Sequence, residues 1–162
     1  MEKGTVTKQN LQLALLTDGI YPTHLGGMQK HSWYLAKSLA AIGVKVKVFF
    51  PGNDNVISQI RELLTTAENQ HIIFKPIRTI PTFKFPGHYL FENFLFSNRM
   101  LSSLEKEDKP VFVYAQGFSA WALLNRRRKL NNLTSTPIGL NFHGLEMFQK
   151  APNFKIKLQH LF

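Results

Sequence analysis

The sequence predicts an α/β domain, a three-layer sandwich on a mainly parallel sheet, and three observations lead there. Leu13 to Pro51 runs strand, turn-rich loop, helix and strand without a gap, the order of a right-handed crossover unit. About five such alternations follow one another along the chain. The first strand-like run, Leu11 to Thr17, is apolar almost throughout, as expected where helices cover both faces of a parallel sheet.

Leu11 to Thr17 reads as the first strand, and "DGIYPTHLGG" after it breaks any regular element. From Met28, the residues His31, Ser32, Leu35, Ala36, Leu39 and Ala40 recur at three- and four-residue spacing, the signature of one helical face. Gly43 should end that helix, because glycine best adopts the left-handed cap. Val44 to Phe50 is the second strand. A single helical stripe follows through Ile57, Ile60, Leu63, Leu64 and Ala67, and the third strand, from His71, is expected to break at Pro76. Leu90, Phe94, Ser97, Met100, Leu101 and Leu104 mark a further helix, with Pro86 and Gly87 ahead of it. "PVFVYAQG" is a fourth strand, "FSAWALLNRRRKLNN" a helix, and "PIGLNFHGLE" a fifth strand and loop. After Phe154 an amphipathic pattern begins and is cut off at Phe162.

A chain of 162 residues supports one domain, here 1–162, with a real core. No apolar run reaches the ~18 residues of a membrane span. The N-terminal "MEKGTVTKQN" lacks a signal-peptide core, and there is no cysteine, so disulfides and thiol chemistry are excluded and a cytoplasmic setting is expected. The formal charge of +10 implies attraction to an anion, whether nucleotide, phosphorylated acceptor or bilayer surface, unless the cations merely keep the surface soluble. Nucleic acid is disfavoured, since no recognition helix or aromatic sheet motif is present.

In open α/β sheets ligands bind beyond the carboxyl ends of the strands, so the loops after Thr17, Phe50, Ala115 and Phe142 should share one rim. Gly26 and Gly27 stand at the mouth of a helix, where unpaired N–H groups and the helix dipole favour an anion, with Lys30 one turn on. Alternatively the pair only lets the loop turn sharply. A dinucleotide site fits less well, because G-x-G-x-x-G is missing and Pro51-Gly52 stands where an acidic ribose partner belongs. His143 follows an apolar strand, beside Gly144 and near Glu146, and is either a rim donor or a structural loop histidine. Gln116 either lines the same cleft or caps the helix after it. "RRRK" at 126–129 reads as a solvated helix end, the Phe-rich stretch from Phe83 to Phe96 as core, and no metal is assigned to His24 and His31, which lack a carboxylate at ligand spacing.

"GGMQKHSWYLAKSLAAIGVKVKVFFP", "VYAQG" and "GLNFHGLEMFQ" together resemble the N-terminal, Rossmann-like domain of family 4 glycosyltransferases, over Leu11 to about Gln149. The resemblance implies one half of a GT-B architecture and retaining transfer from a nucleotide-sugar donor to a sugar, lipid-linked or other small acceptor, with no metal or other cofactor. It implies that Gly26 and Gly27 approach the donor phosphates and acceptor, that His143 faces the transferred sugar, and that Glu146 is an acidic position of the same loop. Many members carry His in place of Gln116, which weakens a charged role there. It further implies that a C-terminal donor-binding domain or a partner chain is missing and that the fragment alone is inactive. A peripheral contact at the inner face of an anionic membrane is a further expectation, and the alternative to an enzyme is a basic module that binds an anionic surface or polyanion without chemistry.

Overall fold

β1 (Gln12–Leu16) is the central strand of a five-stranded, all-parallel sheet ordered β3-β2-β1-β4-β5. The computed structural model describes residues 11–79, 88–129 and 133–142. β2 (Lys45–Pro51) and β4 (Phe112–Gln116) flank β1, β3 (Ile72–Ile77) lies outside β2, and β5 (Ile138–Asn141) lies outside β4. Because consecutive strands fill one side of β1 and then the other, the order reverses between β1 and β4. That is the topological switch point at which open α/β sheets bind ligands.

Successive side chains of β1 enter two different cores. Ala14 and Leu16 join Phe49, Met100, Leu101, Leu104 and Val113 on one face, while Leu15 joins Trp33, Ala36, Val46, Val48 and Phe50 on the other. The first face is covered by α4 (His88–Leu104) and α5 (Trp121–Arg126), the second by α1 (Gly27–Ala41) and α2 (Asn55–Glu62), while α3 (Thr66–His71) lies beside α1, where Lys37 pairs with Glu68. Burial on both faces explains the continuous apolar runs, since neither side needs to meet water.

Several elements differ from the sequence reading in ways that packing explains. α1 ends where expected: Gly43 takes φ 85°, its N–H bonds Ala40 O at 2.9 Å, and Val44 N–H bonds Leu39 O at 3.0 Å, a Schellman closure. Its buried face, however, includes Trp33 and leaves His31 exposed, a rotation from the stripe read off the spacing. The single stripe from Ile57 to Ala67 is two helices. Thr65 caps α3, taking the Glu68 N–H at 3.3 Å while Glu68 Oε2 accepts from the Thr65 N–H at 2.8 Å, and this capping box restarts the chain.

β3 runs through Pro76 instead of breaking there. It is an edge strand, so the missing N–H of Pro76 costs no ladder bond on its open side. The segment after β4 is not one helix: a 3-10 turn (Gly117–Ala120), α5, and a second 3-10 turn (Arg127–Lys129) share it. Arg127 is not simply a solvated cation, because its guanidinium donates to Thr134 O and Thr136 O at 3.3 and 3.1 Å. Of the described part of the Phe-rich stretch, Phe94 packs on Trp121 and Phe96 against the core, while Phe91 is exposed.

Candidate functional site at the switch point

Thr17 ends β1 and begins the loop to α1, and it is wholly buried. Its hydroxyl donates to Gly19 O at 2.8 Å and lies 2.8 Å from Ser32 Oγ, so the loop is tied at its root to the first turns of α1. Ile20 is buried, Tyr21 stacks at a tilt on Trp33, and His24 N–H bonds Ile20 O at 2.9 Å. Thr23 spends its only proton on Ile20 O at 2.7 Å, so at 3.0 Å its oxygen accepts from His24 Nδ1. The loop is therefore anchored before any ligand arrives.

Gly26 is the N-cap of α1 and Gly27 its first residue. No side chain caps this end and no acidic residue lies in the first turn, so the first intrahelical bond, Lys30 N–H to Gly26 O at 3.1 Å, leaves earlier N–H groups directed outward. The two glycines differ in kind. Gly26 has extended backbone, but a Cβ there would collide with Gln29 Oε1, whereas a Cβ on Gly27 would meet nothing within 4 Å. Gln29 Nε2 donates to Asp18 Oδ1 at 3.4 Å, so the amide that lies over Gly26 also reaches the loop's only described carboxylate. Lys30 is exposed on the same helix. The arrangement offers fixed, uncapped donors and a nearby cation to an incoming anion.

Of the two places read for Gln116, cleft lining and cap of the following helix, the structure has it at the N-cap of the 3-10 turn Gly117–Ala120, with its side chain turned inward. It is fully buried at the end of β4, and its Nε2 donates to Ser32 Oγ at 2.6 Å. Its backbone N–H bonds Ser119 Oγ at 3.2 Å, and that hydroxyl donates to Leu16 O at 3.0 Å. Pairing of β4 with β1, with α1 lying over both, closes this amide away from the surface. Among the described residues, Gln116 Oε1 has no hydrogen-bond partner. Thr17, Ser32, Gln116 and Ser119 thus form a buried polar knot at the switch point. Sequence reading missed it, although Ser32 on an otherwise apolar helical face was a signal.

His143, Gly144 and Glu146 lie outside the described residues, as do the amphipathic pattern after Phe154 and Phe83 and Phe85 of the Phe-rich stretch. β5 ends at Asn141, on the same edge of the sheet as Thr17, Pro51 and Gln116, so the chain leaves the described part from the rim. Among the described residues no cluster of three or more His, Asp or Glu is placed to hold a metal ion, and no helix is long and apolar enough to cross a membrane.

A five-stranded parallel sheet with an uncapped glycine loop at its switch point is the frame of a Rossmann-like glycosyltransferase domain. The family model "Glycosyltransferase Family 4" matches residues 25–161, and the chain belongs to that family. No curated protein sequence matches it. Two crystal structures of the C-terminal domain of a hydrogenase from Pyrococcus furiosus are similar at 15% identity, with TM-scores of 0.45 and 0.47. They cover 85% and 84% of this chain and 94% and 92% of their own, a likeness too distant to bear on function.

Proposed function

We propose that the chain is the acceptor-side domain of a retaining glycosyltransferase of GT-B architecture, which moves a sugar from a nucleotide-sugar donor to an acceptor. The family match over residues 25–161 carries this reading. Departure of a nucleoside diphosphate develops negative charge, and the uncapped N–H groups behind Gly26 and Gly27, with Lys30 beside them, supply preorganised positive field where water would otherwise have to reorganise. His143 follows β5 and, with Gly144 and Glu146, would stand beside the transferred sugar, where a polar group steadies an oxocarbenium-like centre. A second domain or partner chain would hold the nucleotide, and no metal enters the mechanism. The +10 charge would favour a peripheral contact with anionic lipid.

The test is a nucleotide-sugar transfer assay on the enzyme that carries this domain, with and without His143→Ala. Turnover should fall about 100-fold or more while thermal stability holds, the scale of losing one group that stabilises developing charge. Equal loss of both would make His143 structural. The anomeric configuration of the product, read by NMR, decides retention. A chain that releases no nucleoside diphosphate from any donor but binds anionic vesicles with steep salt dependence would instead be a basic binding module.

A further inference from the structure

We infer that the outer flank of α5 is a docking surface for an anionic phospholipid bilayer: apolar side chains between α5 and β5 enter the acyl boundary while the cations at the end of α5 meet lipid phosphates. The inference rests on the lipid contact within the function proposed above and gives that contact a surface. It does not depend on the sugar-transfer chemistry.

β5 is the edge strand beyond β4, so on the face it shares with α5 no further described helix packs against it. An open depression of about 390 Å³ results, walled by Phe118, Trp121, Leu124, Leu140 and Phe142, with Asn125 as its polar side chain. Phe118 is 38% exposed, Leu124 44% and Phe142 53%, so among the described residues nothing covers this apolar surface. Apolar side chains gathered in one exposed patch mark an interaction surface, whereas the same residues scattered singly would not. The patch is also preorganised, because the Trp121 ring is held 5.6 Å from Phe94 and 5.7 Å from Phe118.

Charge at the amino edge of the sheet selects the partner. Arg126, Arg128 and Lys129 are exposed there, and Arg127 is tied to Thr134 O and Thr136 O. Lys109 joins them through Ser135, whose Oγ accepts from its Nζ at 2.8 Å. Between Lys109 and Glu146 the sequence holds no Asp or Glu, and Glu107 and Asp108 pair with Lys47 instead. Five cations, Lys109 and the four from Arg126 to Lys129, therefore share one corner, more than the dipole of a short helix calls for. Leu124 and Arg128 lie about one helical turn apart, so the cations continue the apolar flank of α5. An anionic bilayer matches both parts, with phosphates at the level of Lys and Arg and acyl carbon roughly 5–10 Å below. A nucleic acid would neutralise the cations but leave the apolar walls in water.

The experiment adds the 162-residue chain to vesicles of phosphatidylcholine and to vesicles of phosphatidylcholine and phosphatidylglycerol in equal parts, and reads co-sedimentation and tryptophan emission. Trp33 is buried, so a blue shift on binding reports Trp121 in the groove. The mixed vesicles should bind at least about tenfold more tightly than the neutral ones, and less tightly as salt rises. Arg128→Gln together with Lys129→Gln should weaken binding about 25-fold, roughly fivefold for each cation lost. Leu124→Ser should weaken it about fivefold and leave the salt dependence unchanged. All three side chains are exposed, so thermal stability should hold in both variants. Equal binding to both vesicles, binding to neither, binding without a shift of Trp121, or indifference to both variants overturns the surface. So does a dimer in sedimentation velocity that Leu124→Ser abolishes, which would give the groove to a second copy, or tighter binding to a duplex oligonucleotide than to the mixed vesicles. Vesicle binding by an enzyme that releases no nucleoside diphosphate would leave this surface standing and overturn the proposed transfer. Transfer by an enzyme indifferent to vesicles would do the reverse.

Discussion

Gly27 opens onto empty space, and that makes it a sharper probe of ligand approach than Gly26. In the free protein Gly27→Ala meets no atom, and at a helix's first turn alanine should leave stability unchanged or raise it by up to about 1 kcal/mol. Urea unfolding should show no loss, while transfer activity should drop sharply if a ligand comes close to that backbone. Undiminished activity would mean that Gly27 serves only the turn. Gln116 poses the converse question, since one amide atom is bonded to Ser32 and the other is buried unpaired. Leaving a buried acceptor unmade costs roughly 1–3 kcal/mol, so Gln116→Met, which removes that acceptor and one bond together, should shift unfolding free energy by less than about 1 kcal/mol. A loss well above that, seen in the same urea titration, would mean the amide holds β4 to α1.

At the level of elements, the helices show how local chemistry and packing divide the work. Thr65 and Glu68 start α3 by a reciprocal cap that "TTAE" spells out, yet the apolar stripe running on from Ile57 masked it. Thr65→Ala should cost about 0.5–2 kcal/mol, read from chemical denaturation. Burial works to raise the Glu68 carboxyl, but hydrogen bonds from Thr65 and the charge of Lys37 outweigh it and hold it below the usual carboxylate range. α4 was legible in outline, because Ser97, Met100, Leu101 and Leu104 fall on the buried face its spacing predicted. What its sequence did not reveal is the other face, where Tyr89, Glu92, Asn93 and Arg99 line one cavity with Thr79 and with Asp18, a residue more than 70 positions earlier in the chain. Helical period places residues on a face but says nothing of what that face meets.

Across the described residues, the candidate site and an ionic clasp lie at opposite edges of the sheet. At the amino edge, Lys47 Nζ pairs with Glu107 Oε2 at 2.8 Å and Lys75 Nζ with Glu107 Oε1 at 2.6 Å, joining β2 and β3 to the turn after α4. Only 8% of the Lys47 side chain is exposed, so removing Glu107 leaves its charge largely out of water with only the exposed Asp108, at 3.9 Å, still paired to it. Burial pushes the Glu107 carboxyl up, but hydrogen bonds from Lys47 and Lys75 and their charges more than offset this and hold it below its ordinary value. A carboxyl lowered in the folded state contributes stability above its unfolded pKa, near 4.5, and loses it as pH falls through the folded value. Glu107→Gln should therefore cost about 3 kcal/mol at neutral pH and flatten the acid limb of the stability curve. Both are read from urea midpoints between neutral and acidic pH.

The sequence by itself determined the alternation of strands and helices, the stop at Gly43 and the glycine pair at the mouth of α1, because each depends on neighbours a few residues away. It also carried the motifs that resemble family 4 glycosyltransferases, and the family match agrees with them. Only the tertiary structure decided that β1 pairs with both β2 and β4, which turns the ends of Leu16 and Gln116 into one switch point. Tertiary packing also decided between the two readings of Gln116, burying it at the N-cap of the turn after β4, and carried the strand at Pro76 through an open sheet edge. It gathered Asp18, Glu92 and Asn93 into one cavity, since pairing order and helix docking are set by surfaces that meet late in the chain and far apart in number.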